Sequence, residues 1–271
     1  MSADRVQDRA ISQDRTLLAY WRSGRGRPLV LVHGTTADHT RWNPVLDLLD
    51  PHVTVCAMDR RGRGASGDAE DYAIEREYED VAAVVDAVAS RAGGPVDVFG
   101  HSHGALCALE ATRLTADVRK LVLYEPPVIY GTDDHPLDLV DRLDALLAEG
   151  RREDVVELFF REVVGVTDEQ LALMRTLPAW PARVAAAHTI PREERATLGY
   201  RFDPERWATV SVPTLLLDGS DSPDFLRRST EAVAAALPRA RVAVLDGQQH
   251  VAMDTAPDVV ADTVLSFLAE V

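Results

Sequence analysis

The chain has 271 residues, 46% of them hydrophobic, and a formal net charge of −15. That length suits one large domain or a domain carrying an insertion, with ample apolar material for a core. The acidic balance argues against nucleic acid and anionic membranes as partners, since both select basic patches, and fits simple solubility.

The opening Met1 to Arg5 lacks the apolar stretch of a signal peptide, and no apolar run is long enough to span a bilayer; a cytoplasmic chain is expected. After a polar N-terminus, Thr16 to Arg22 reads as a strand, turned by Ser23-Gly24-Arg25-Gly26. Pro28 to Val32 is a continuous apolar run, the pattern of a strand buried on both faces, and it empties into His33-Gly34-Thr35-Thr36. A helix with Trp42, Val45, Leu46 and Leu49 stops at Asp50-Pro51. Val53 to Met58 is a second buried strand, ending in Asp59-Arg60-Arg61-Gly62-Arg63-Gly64. Those arginines match neither a P-loop nor a dinucleotide fingerprint, so a structured loop with local ion pairs is expected. Cys56 in this strand and Cys107 further on are the only cysteines; both read as buried thiols of a reduced chain.

A helix from about Ile74 to Arg91 places Val81, Val84, Val85 and Val88 on one face. Next comes the most informative stretch, Val96-Asp97-Val98-Phe99-Gly100-His101-Ser102-His103-Gly104. A strand turning sharply into a helix is the setting in which G-x-S-x-G has chemical meaning. Gly100 and Gly104 leave room where strand and helix nearly touch, and Ser102 is lifted above the sheet edge with helix N-terminal amides pointing toward it. Another strand, Val118 to Tyr124, precedes Glu125-Pro126-Pro127.

There the strand–helix alternation breaks. Helices are expected at Leu137–Glu149, Glu153–Val164 and Asp168–Leu177, the last opened by a capping box of Thr167 and Gln170, with a further pair between Pro181 and Tyr200. Phe159, Phe160, Trp180 and Trp207 lie in or beside this region and are candidate substrate contacts, as is Thr36. Alternation resumes with a strand at Val212–Leu217, a helix at Asp224–Leu237, a strand at Arg241–Leu245 and a helix at Pro257–Leu268; Gly247-Gln248-Gln249-His250 falls between the last two. The expected class is α/β: a mostly parallel central sheet flanked by helices, with ligands bound beyond the strands' carboxyl ends.

In order and spacing, these features resemble the α/β-hydrolase fold enzymes over nearly the whole chain: strand-His33-Gly34, Asp59 with Arg61 to Ser66, the Ser102 elbow, a helical insertion and a late His250. The resemblance implies a core of residues 1–127 and 211–271 and a helical lid of residues 128–210. It also implies Ser102 as nucleophile, His250 as general base, and the amides of Thr35 and His103 as the oxyanion hole. The chemistry agrees, since a serine hydroxyl needs an imidazole to take its proton and a carboxylate to orient that imidazole. The acid stays open. The family's usual Gly-x-x-Asp would put Ser222 at the acid position, leaving Asp221 one residue early; Glu125, after the preceding strand, is the second candidate. Asp218 and Asp246 are weaker ones. His33 reads as a structural hydrogen-bonding residue, His101 flanks the serine without serving as base, and His39, His52, His135 and His188 read as surface or loop histidines. No metal-ligand spacing and no cofactor are implied.

The expectation is a serine hydrolase for an ester, lactone or thioester of a small or medium apolar molecule. Carbon–carbon bond hydrolysis or a lyase or cyclase step on the same triad, and a non-catalytic ligand-binding protein, are the alternatives.

Overall fold

The computed structural model describes residues 5–129, 136 and 138–270; His135 and the expected helix start at Leu137 lie outside them. The described strands form one eight-stranded sheet. Its strands are β1 (Val6–Ile11), β2 (Leu17–Gly24), β3 (Arg27–Val32), β4 (Val53–Met58), β5 (Val96–His101), β6 (Val118–Tyr124), β7 (Thr214–Gly219) and β8 (Ala240–Leu245). Their order is β1-β2-β4-β3-β5-β6-β7-β8, and only β2 runs against its neighbours. β1, which the sequence shows only as part of a polar N-terminus, is an edge strand whose residues are mostly solvated, so it carries no apolar pattern to betray it.

Helices α1 (Asn43–Leu49), α2 (Ile74–Ala92) and α3 (His103–Ala111) alternate with the strands. Side chains of β3 show why its run is continuous. Val30 and Val32 pack into one core with α2 and α3, whereas Leu29 and Leu31 pack into the other with α1 and the C-terminal helix.

Between β6 and β7 the described residues form α4 (Leu139–Ala148), α5 (Arg152–Phe159), α6 (Asp168–Arg175), α7 (Trp180–Ala185) and α8 (Ile190–Gly199). The expected long helix ending at Val164 is interrupted, because Phe160–Val164 winds as a π-turn that stops at Gly165. The capping box forms as expected, with Gln170 and Thr167 each bonding the other's backbone N–H. These helices hold a third apolar core of their own, including Leu143, Val155, Val156, Phe160, Trp180 and Ile190. Tyr200, Phe202, Trp207 and Val210 follow α8 but pack against the sheet's core, so the separate core ends earlier than the expected boundary at residue 210. The chain closes with α9 (Asp224–Ala236), α10 (Ala252–Thr255) and α11 (Pro257–Ala269). None of the described helices is long and apolar enough to cross a membrane.

The loop after β4 departs from the expected local pairing. Asp59 takes His39, Ala65 and Trp21 as hydrogen-bond donors, while Arg60 and Arg61 reach carboxylates of α2, Glu77 and Asp80. Cys56 and Cys107 are buried free thiols, and burial pushes the Cys56 thiol up to about 12.

Candidate active site

Chain order reverses between β3 and β5, the point at which open parallel sheets leave a crevice for ligands. Ser102 stands there, between β5 and α3, with φ 55°. Of the four described non-glycine residues in this left-handed region, three are Thr36 (62°), Ser102 and Glu125 (48°), in loops at the carboxyl ends of β3, β5 and β6. Each such conformation costs about 1–3 kcal/mol and persists only where tertiary contacts impose it. For Ser102 the contacts are its N–H to Tyr124 O at 2.8 Å and its carbonyl accepting from Ala105 and Leu106. A Cβ on Gly104 would lie 2.3 Å from His33 O, so the elbow needs glycine there. One on Gly34 would lie 2.9 Å from Ser102 Cβ, which sets the loop after β3 directly beside the serine.

That loop carries Thr35. Its N–H makes no hydrogen bond among the described residues, and the N–H of His103, at the first position of α3, has no intrahelical acceptor. His33 fixes the loop: Nδ1–H donates to Gly34 O at 2.8 Å while Nε2 accepts from the Arg60 N–H at 3.1 Å. Both ring nitrogens are thus used by a neutral imidazole, and burial with the Arg60 charge holds its pKa well below the usual value.

The two candidate acids have different fates. His250 Nδ1–H donates to Glu125 Oε2 at 2.5 Å. The other oxygen of this fully buried carboxylate accepts from the Gly219 N–H at 2.7 Å. Asp221 does not reach the histidine. It is exposed, its carboxylate takes the Ser220 hydroxyl at 2.9 Å, and only its backbone N–H helps, donating to Gln248 O at 2.9 Å. Of the weaker options, Asp246 is exposed. Asp218 is buried beside Glu125, and burial and that neighbouring charge raise its pKa to about 6.

Two residues to which the sequence assigns no such role, His101 and Tyr124, hold the His250 segment. His101 Nε2–H donates to His250 O at 2.8 Å, with the two rings 4.6 Å apart. Burial and the neighbouring His250 keep His101 well below its usual pKa, so it is a neutral donor. The Tyr124 hydroxyl donates to Gln249 O and accepts from the Ala252 N–H. A polar aromatic at the end of β6 was the one available hint of this role.

Ser102, His250, Thr35 and His103 line one cavity of about 40 Å³. Its other walls are chiefly apolar: Pro127, Phe159, Val163, Val164, Phe225 and Leu226, with Glu194 and Thr197 of α8 adding polar groups. Among the expected substrate contacts, only Phe159 lines this cavity. Phe160 packs in the α4–α8 core beneath the Arg183 guanidinium, and that arginine also bonds Thr36. Trp180 is buried in the same core, its indole N–H on Glu153 at 2.9 Å. Trp207 is buried in the sheet's core, stacked on Phe202. All three had the size and apolarity of pocket residues, which is also what a core requires.

Comparison with known proteins agrees with this architecture. Residues 29–263 match the model of the alpha/beta hydrolase family. A crystal structure of an alpha/beta hydrolase from Sphaerobacter thermophilus is 41% identical, with a TM-score of 0.84 over 97% of this chain and 100% of that one. An esterase from Rhodococcus, at 22% identity, shares the fold with a TM-score of 0.77 over 97% of this chain and 98% of its own. In sequence, the chain is 23% identical over 258 residues to (E)-2-((N-methylformamido)methylene)succinate hydrolase of Acinetobacter baylyi, covering 95% of this chain and 96% of that one. The chain belongs to the alpha/beta hydrolase family and is an enzyme of that fold.

Proposed function

We propose that the chain is a serine hydrolase with Ser102 as nucleophile, His250 as general base and Glu125 as the acid that orients it. The hydrogen bond of 2.5 Å from His250 Nδ1 to Glu125 Oε2, in a histidine facing the same cavity as Ser102, carries this reading. With Nδ1–H given to Glu125, the lone pair of Nε2 is free to take the serine proton.

The Ser102 oxygen attacks the substrate carbonyl as its proton passes to His250. The resulting oxyanion takes hydrogen bonds from the Thr35 and His103 amides, each such donor typically contributing about 10²–10³ in rate. His250 then protonates the leaving group, which departs to give the acyl-enzyme. Water, deprotonated by His250, releases the acid and restores the serine. Helices α4 to α8 act as a lid over the sheet, and the apolar residues they bring to the cavity, Phe159, Val163 and Val164, suit an ester, lactone or thioester with a small or medium apolar acyl group.

Rapid mixing with p-nitrophenyl butyrate tests the scheme. A burst of about one nitrophenolate per enzyme, absent in Ser102→Ala, is expected where deacylation is the slower step. Undiminished ester hydrolysis by Ser102→Ala would overturn it.

A further inference from the structure

Beneath the two proposed oxyanion donors lies a buried ion cluster that hydrolysis itself does not use. Arg60 and Arg63 come from the loop after β4, Glu77 from α2 and Glu193 from α8; each is at most 2% exposed. Arg60 bridges Glu77 at 2.6 Å and Glu193 at 2.9 Å, and Arg63 also pairs with Glu193. Two guanidiniums therefore meet two carboxylates. The carboxylates and His103 lie close enough to hold a metal ion, but a divalent cation would leave two uncompensated buried charges.

The elements that carry the cluster are tied to the residues of both donors. Through the Arg60 N–H the loop after β4 holds His33, and through His33 the carbonyl of Gly34, next to Thr35. On the other side, the Thr197 hydroxyl donates to the backbone carbonyl of Glu193 within α8 at 2.9 Å. Its single proton thus spent, that hydroxyl accepts from His103 Nδ1–H at 3.1 Å. Burial beside Arg60 lowers the His103 pKa to about 3, so the ring is neutral and its one proton sits on Nδ1. Glu193 and Thr197 are one turn apart on the same face of α8.

We propose that Glu193 and Thr197 are positioning residues: carried by α8, they hold the Thr35 and His103 amides in place, and the oxyanion hole is complete only while that helix is docked. Lifting α8 would remove one carboxylate from two buried guanidiniums and free the His103 ring. The helix therefore stays seated through turnover. This inference rests on the hydrolytic reading above.

The test is steady-state kinetics of Glu193→Gln, Glu193→Asp and Thr197→Val on p-nitrophenyl butyrate, after fluorophosphonate labelling of Ser102 in the wild-type enzyme has upheld that reading. Loss of an oxyanion donor's alignment should lower kcat of folded Glu193→Gln by about 10- to 100-fold with KM changed less than about threefold. Glu193→Asp should recover part of the loss, and Thr197→Val should lower kcat by about three- to tenfold. A folded Glu193→Gln with kcat within about twofold of wild type overturns the inference. Should that variant fail to fold, Thr197→Val decides, and an unchanged kcat there overturns it equally. Failure to label Ser102 would instead refute the hydrolytic reading.

Discussion

Two turns at the carboxyl edge of the sheet, after β6 and after β7, could each offer a carboxylate to His250, and they use their residues in opposite ways. The β6 turn buries Glu125 completely, holds its backbone at φ 48° and assigns each carboxylate oxygen one donor, Gly219 N–H and His250 Nδ1–H. The β7 turn leaves Asp221 in solvent and contributes backbone instead: Gly219 N–H orients Glu125, and Asp221 N–H steadies Gln248. A carboxylate becomes useful to a histidine when its second oxygen and its backbone are already fixed, so that little reorganisation accompanies charge development.

This contrast can be broken most sharply at Glu125. Glu125→Gln keeps the shape but withdraws the charge that stabilises the imidazolium, and kcat should fall by about 10³–10⁴ in an ester assay. Asp218 tests the electrostatics of the same corner. Its pKa is raised from 3.8 to about 6, so the fold favours the protonated form. That contribution to stability is full below about pH 4 and is lost as pH rises through 6. Asp218→Asn should therefore exceed wild type by on the order of 2 kcal/mol in denaturant unfolding at pH 8, and match it near pH 4. A variant equally stabilised at both values would contradict the assignment. Tyr124→Phe removes the hydroxyl that holds Gln249 and Ala252, and should cost about 1 kcal/mol of stability together with a few-fold loss in kcat. At the other extreme, Asp221→Asn should stay within about twofold of wild type in kcat, since its exposed carboxylate takes the Ser220 hydroxyl and its backbone N–H, which holds Gln248, is unchanged.

Much of this arrangement is legible in the sequence, for local reasons. The apolar runs of β3 to β7 and the glycines around Ser102 encode strands and a tight elbow through short-range sterics, and His250 stands out by its place after the last strand. For the acid the sequence leaves Glu125 and Asp221 side by side, because the two differ in burial and in who donates to them, properties set by chain segments more than 90 residues apart in the case of Gly219 and Glu125. β1 was illegible because an exposed edge strand needs no apolar alternation. Trp180 and Trp207 misled because a large aromatic looks the same in a core as in a pocket. The cluster of Arg60, Arg63, Glu77 and Glu193 spans three separate stretches, and only the folded chain brings them together.

The most direct test is the rate at which a fluorophosphonate labels the enzyme, followed by intact mass and peptide mapping. The wild-type protein should gain one adduct, on Ser102, and the second-order rate should drop by about 10³ in both His250→Ala and Glu125→Gln while Asp221→Asn labels normally. Labelling of Ser102 that is indifferent to Glu125 but collapses in Asp221→Asn would contradict the account.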